Sequence, residues 1–124
     1  MFDNYVFIDG SGRNVENGFE VQTLITYYRG IPLSMVHNVV LEIDGSTVPR
    51  EELVISPDGD NWFTLDEATT VTDYRWEYST PLSVRWLTPG GLPSGDHEVT
   101  VRLRIRTAYI PRPFGGDRTR TVSV

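Results

Sequence analysis

The chain has no cysteine and no lysine. The missing thiols exclude a disulfide scaffold, a thiolate zinc site and a cysteine nucleophile. The missing amines exclude Schiff-base chemistry and a lysine general base. All eleven basic residues are arginine, a usage that a GC-rich genome produces without functional cause, although guanidinium and ammonium are physically different groups. Long apolar runs are missing too: nothing approaches the roughly 20 residues that span a bilayer. The start, Met1-Phe2-Asp3-Asn4-Tyr5, lacks the basic head and apolar stretch of a signal peptide, so a cytoplasmic location is expected. There is no basic surplus. The net charge of −6 and pI near 4.8 oppose binding to nucleic-acid phosphates.

What is present fits one globular unit. The 124 residues, 39% hydrophobic and 23% charged, suffice for one domain with one core, expected to span 1–124. Helical periodicity is nearly absent, and short alternating segments between turn clusters predict an all-β fold. Tyr5 to Ile8 reads as an opening strand. Phe19, Val21, Thr23, Ile25 and Tyr27 share one face of a second, with Glu20, Gln22 and Thr26 on the other. Val39, Leu41 and Ile43 point inward on a third, and Asp44-Gly45 marks a hairpin returning through Val48. Leu53 to Ser56 is a short strand, and Leu65-Asp66-Glu67-Ala68 fits a single helical turn. Leu82, Val84 and Trp86 form the next inward set. The clearest alternation places Val99, Val101, Leu103 and Ile105 inside, with Thr100, Arg102, Arg104 and Arg106 outside. Pro111, Pro113 and Gly115-Gly116 are expected to break the chain before a last strand from Thr119 to Val124. The expected architecture is a two-layer antiparallel β-sandwich of about eight strands.

Candidate chemistry is sparse. His37 and His97 have no metal-ligand partner at motif spacing. Asp58-Gly59-Asp60 resembles a fragment of a calcium loop without its remaining ligands. Glu51 with Glu52, and Asp66 with Glu67, are adjacent and would point apart in a strand. No serine lies in a nucleophile-elbow context, and no glycine-rich turn links a strand to a helix as a nucleotide site needs. The Arg102, Arg104, Arg106 stripe reads either as a solvated face with arginine stems covering apolar surface or as a surface that meets a partner's carboxylates.

Two dense patches remain. Tyr27, Tyr28, Arg29, Gly30, Ile31, Pro32, Leu33 and Met35 interrupt two strand-like segments, because glycine and proline break a ladder. Arg75 and Trp76, within Asp73-Tyr74-Arg75-Trp76-Glu77-Tyr78, form the second. Aromatic and guanidinium groups are enriched at binding hot spots; the alternative is a bend whose side chains fall back onto the core.

Several stretches together resemble the β subunit of the bacterial C-glycoside deglycosidases. They are Tyr27-Tyr28-Arg29-Gly30-Ile31-Pro32-Leu33-Ser34-Met35, Val48-Pro49-Arg50-Glu51, Phe63-Thr64-Leu65-Asp66-Glu67 and Arg75-Trp76-Glu77-Tyr78. Pro89-Gly90-Gly91-Leu92, Gly95-Asp96-His97-Glu98-Val99 and Ile105-Arg106-Thr107-Ala108-Tyr109-Ile110-Pro111 follow in order. The resemblance implies a small β-sandwich subunit without catalytic residues or metal of its own. It implies a larger α subunit, a barrel similar to sugar-phosphate isomerases and epimerases, holding a divalent metal, typically manganese. Enzymes of that family cleave the C–C bond between a 3-keto sugar and a plant polyphenol such as a flavonoid, by a β-elimination-like route. Residues 27–35, helped by residues 75–78, are then expected to dock on the α subunit near its active-site mouth, with the 3-keto C-glycoside at or near that interface. The rival expectation is a stand-alone carbohydrate-binding module that stacks sugars on Trp62, Trp76 or Trp86. A self-associating structural protein is a third.

Overall fold

The computed structural model describes residues 6–25, 29–107 and 112–124. Its strands in chain order are β1 (Arg13–Val15), β2 (Gly18–Thr23), β3 (Ile31–Pro32), β4 (Val36–Ile43), β5 (Ser46–Thr47) and β6 (Leu53–Ser56). They continue as β7 (Phe63–Thr64), β8 (Arg75–Trp76), β9 (Leu82–Leu87), β10 (Asp96–Ile105) and β11 (Phe114–Ser123), with one helical turn, α1 (Leu65–Ala68). Two antiparallel sheets form the layers, ordered β1-β2-β9-β6-β7 and β11-β10-β4-β5, and β3 pairs with β8 as a separate ribbon. The expected all-β antiparallel sandwich is observed. The strands beyond the expected eight are mostly two-residue pairings, too short to show an alternation.

The core follows the period-two pattern. Phe19, Val21 and Thr23 of β2 face Leu82 and Val84 of β9 and Leu53 and Ile55 of β6, all buried. Across the interior, Val39 and Leu41 of β4 meet Val99, Val101 and Leu103 of β10. Pairing is largely non-local: β9 lies between β2 and β6, and β10 between β4 and β11. The Asp44-Gly45 hairpin forms with both residues at positive φ, 50° and 85°, the backbone that a two-residue turn between twisted strands requires.

Two local expectations are corrected. Val6, Phe7 and Ile8 lie in no strand; Val6 and Phe7 plug the interior, and the Ile8 N–H donates to the Gln22 carbonyl at 2.9 Å. Tyr5 lies outside the described residues. Gly115 and Gly116 do not end the chain's pairing but belong to β11, opposite Arg104 and Leu103. A Cβ on Gly115 would sit 1.8 Å from the Leu103 carbonyl oxygen, so the glycine permits the strands to approach. The arginine stripe lies on the outer face, as both of its readings place it, and there Arg102 and Arg104 meet carboxylates of their own sheet. Arg102 bridges Glu42 of β4 at 3.0 Å and Asp117 of β11 at 2.8 Å, and Arg104 reaches Asp117 at 2.9 Å. Arg106 donates from Nε to His37 Nδ1 at 3.0 Å.

Candidate functional site

The β3–β8 ribbon unites the two patches, which lie more than forty residues apart in sequence. Ile31 pairs with Trp76, and Pro32 with Arg75. Further bonds extend the pairing: Leu33 N–H to the Tyr74 carbonyl at 3.0 Å, and Ser34 N–H to the Val71 carbonyl at 2.9 Å. Arg75 bends back, donating from Nη2 to the Gly30 carbonyl at 3.1 Å and from Nε to Glu77 at 3.0 Å. Gly30 is required by crowding, since a Cβ there would meet the Trp76 carbonyl oxygen at 2.9 Å.

Burial divides the residues singled out from sequence. Ile31, Leu33 and Trp76 are buried, and the Trp76 indole N–H donates to the Thr80 carbonyl at 2.8 Å. Met35 is partly buried against the core, while its carbonyl accepts from the Arg106 N–H at 2.8 Å. Pro32 and Gly30 are half-buried, and Arg29 and Arg75 are exposed. Tyr27 and Tyr28 lie outside the described residues. The exposed surface therefore rests on arginine and on two tyrosines of the 73–78 patch, Tyr74 at 37% and Tyr78 at 48% exposure. The Tyr74 ring tilts against Phe63, with centroids 5.3 Å apart. Trp76, the aromatic expected at this surface, is instead wholly buried. With only two residues in β8, no alternation shows which aromatic faces out.

Other candidate groups are taken up locally. Asp58 accepts from the N–H groups of Asp60 and Asn61, each at 2.9 Å, and from the Asn61 side chain at 2.7 Å; these bonds hold its carboxyl far below the usual range. Asp66 pairs with Arg50 and Glu67 caps α1. Glu52 accepts from the Trp86 indole at 3.0 Å. His37, which accepts from Arg106, has its pKa lowered first by partial burial and then by the charges of Arg106 and Arg50. Among the described residues no group of three or more His, Asp or Glu lies close enough together to hold a metal ion.

The tryptophans share no surface. Trp76 is buried, and Trp62 stacks under the Arg85 guanidinium at 4.1 Å on the outer side of the five-stranded sheet. Trp86, next to Arg85 and so on the inner side, lines a cleft of about 350 Å³ with Val48, Leu92 and Pro93. That cleft lies at the Asp44–His97 end of the sandwich, opposite the β3–β8 ribbon.

The family described as C-glycoside deglycosidase beta subunit matches residues 2–109. A C-glycoside deglycosidase beta subunit of Eubacterium cellulosolvens is 26% identical over 105 residues, covering 80% of this chain and 71% of that protein. A 3'-dehydrocarminate deglycosidase beta subunit of a Microbacterium species is 30% identical over 112 residues, or 90% and 83% of the two chains. A C-glycoside deglycosidase beta subunit of Microbacterium trichothecenolyticum is 37% identical over 94 residues, covering 73% and 66%. With the family matched over most of its length on an antiparallel β-sandwich, this chain belongs to the C-glycoside deglycosidase β-subunit family.

Proposed function

We propose that the chain is the non-catalytic β subunit of a cytoplasmic carbon–carbon lyase complex. The complex would cleave the sugar–aglycone bond of 3-keto C-glycosides, with the reacting groups and a divalent metal, manganese by preference, on a barrel-fold α subunit. Three relatives named as β subunits of deglycosidases support this reading, and a ketone beside the cleaved bond acidifies neighbouring C–H bonds, as β-elimination requires.

In this reading the β3–β8 corner docks beside the active-site mouth. The observation that carries the assignment is the pairing of Ile31 with Trp76. It anchors the corner to the core through buried side chains and leaves Arg29, Tyr74, Arg75 and Tyr78 on the surface. Such an anchored surface orders loops of the facing subunit and excludes water from the bond being broken. The chain alone and the reconstituted α–β pair are to be assayed on a 3-keto C-glucoside. Turnover is expected only from the pair; turnover by the lone chain overturns the accessory role. Arg29→Ala and Arg75→Ala should each weaken assembly, and unchanged affinity in both removes the corner from the interface.

A further inference from the structure

The two main sheets have four free edges. Three edge strands are short, with β1 at three residues and β5 and β7 at two each, β5 covering only Glu42 and Ile43 of the eight-residue β4. The fourth, β11, runs for ten residues and pairs with β10 at ten consecutive positions without a register shift. It contains no proline, and among the described residues nothing pairs with its outer side. A long regular edge is a template for another strand.

The end of the ladder shows which backbone groups are free. Gly95 and Val124 exchange both N–H···O bonds, at 2.9 and 3.0 Å. In an antiparallel pair such positions alternate with positions whose polar groups point away. Stepping back in register, Val122, Arg120 and Arg118 bond to β10. Asp117, Thr119, Thr121 and Ser123 turn their N–H and C=O groups outward, and the three hydroxyl residues are exposed.

Side chains select the occupant. Arg118 and Arg120 stand opposite Val101 and Val99, so both lie on the inner face. Arg120 is engaged, donating from Nε to the Phe7 carbonyl at 2.8 Å with Asp9 at 3.7 Å. Among the described residues the Arg118 Nε is buried and meets no hydrogen-bond partner. Pairing β11 with the β11 of a second copy, in the registers of greatest overlap, would oppose arginine to arginine and supply no acceptor. On the outer face Asp117 is already held by Arg102 and Arg104, and Thr119 Oγ1 lies 2.7 Å from Thr100 Oγ1. The missing acceptor is therefore needed on the inner side.

We infer that β11 accepts an extended segment of the partner subunit as an added strand, and that this segment carries a carboxylate for Arg118. The inference rests on the proposed α–β assembly and extends its surface. β11 starts opposite Ile105, at the end of the sandwich where Arg106 bonds to Met35.

Amide hydrogen exchange on the full chain, alone and assembled with the α subunit, tests it when quenched and read residue by residue by NMR. The amides of Asp117, Thr119 and Thr121 should exchange rapidly in the lone chain and slow by about tenfold or more on assembly. Of the backbone polar groups Thr119→Pro deletes only an outward N–H, and it should weaken assembly while β10 stays protected; Thr119→Ala, which loses the same hydroxyl contact to Thr100, should assemble normally. Arg118→Gln should also weaken assembly, and an unchanged affinity overturns the carboxylate pairing. A complex that protects residues 29–30 and 77–78 but leaves these three amides unchanged overturns the added strand alone. The reverse pattern supports the strand and overturns docking by the β3–β8 corner. Failure to form any complex overturns both. Should Thr119→Pro not fold, exchange in the unmodified complex decides.

Discussion

Glu20 lies on the outer face of β2, as the alternation places it, yet only 3% of its surface is exposed. Its carboxylate is held by Arg85 at 2.8 Å and by Arg13 at 3.1 Å. The two partners differ: the Arg85 side chain is 27% exposed and stacks on Trp62, whereas that of Arg13 is 68% exposed. Removing Arg85 leaves a buried carboxylate with one largely solvated partner. Arg85→Ala is therefore expected to cost roughly 1.5–3 kcal/mol in urea denaturation, and Arg13→Ala about 0–1 kcal/mol. Equal losses would show that the cation–π stack and burial contribute nothing to the difference. The face of Glu20 was legible from its neighbours, Phe19 and Val21. Its burial was not, because Arg85 stands 65 residues away and no local pattern announces which distant arginine covers a glutamate. Gly30 is similar: its need for no side chain comes from the Trp76 carbonyl 2.9 Å from where a Cβ would be.

At the scale of elements, β2, β4, β6, β9 and β10 were readable and β11 only from Thr119 onward, while of the two-residue strands β5 showed itself through its Asp44-Gly45 turn and β3 and β8 did not. The alternation that identified β10 needs several turns of the pleat to show itself, and β3 and β8 offer one residue per face. α1 was legible despite its length because its start is encoded locally. Thr64 accepts from the Glu67 N–H at 3.1 Å while Glu67 accepts from the Thr64 N–H at 2.8 Å, a reciprocal cap. Thr64→Ala should cost about 0.5–2 kcal/mol, read as a fall in the denaturation midpoint without a change in its slope. The Asp44 turn and the segment before β10 are joined by His97, whose Nδ1 lies 2.7 Å from Asp44 and whose Nε2 lies 2.7 Å from the Pro93 carbonyl. Both partners are acceptors, so only the doubly protonated ring makes both bonds. The bond to Asp44 is the main cause raising the His97 pKa above 6.5, with the Pro93 carbonyl and the charges of Asp44 and Asp96 adding to it. The folded chain thus holds this proton more tightly than the unfolded chain. The stabilisation is complete below about pH 6.5 and fades as pH rises through the higher folded value. Asp44, whose pKa is lowered chiefly by the same bond, loses its share as pH falls below 4 toward its depressed folded value. His37 titrates with the opposite sign, its pKa being lowered. The difference in denaturation midpoint between the unmodified chain and His97→Ala should therefore shrink from pH 6 to pH 8.5. A difference that stays constant over that range would mean that folding leaves the proton affinity of the ring unchanged.

For the molecule as a whole, the layers were legible because hydrophobic alternation reports faces, while the connectivity was hidden because alternation carries no information on partners. β9 inserts between β2 and β6, and β10 between β4 and β11, so both layers depend on contacts across long stretches of chain. This makes the proposed docking corner an extension of the core and not a loop hung from it. Trp76 is its keystone, wholly buried and bonded to Thr80, whereas Tyr78, just beyond the end of β8, stands 48% exposed. The two aromatics should separate folding from assembly. Trp76→Ala opens a large cavity and is expected to cost about 3–5 kcal/mol of global stability, so any loss of assembly in that variant follows from unfolding. Tyr78→Ala touches little and should change stability by no more than about 0.5 kcal/mol. If the tyrosine is an interface anchor, the same variant weakens α-subunit binding by about tenfold or more. Urea denaturation of the lone chain beside calorimetric titration with the α subunit measures both quantities. Intact stability with weakened binding places the interface at Tyr78, and intact stability with unchanged binding moves it away from that side chain.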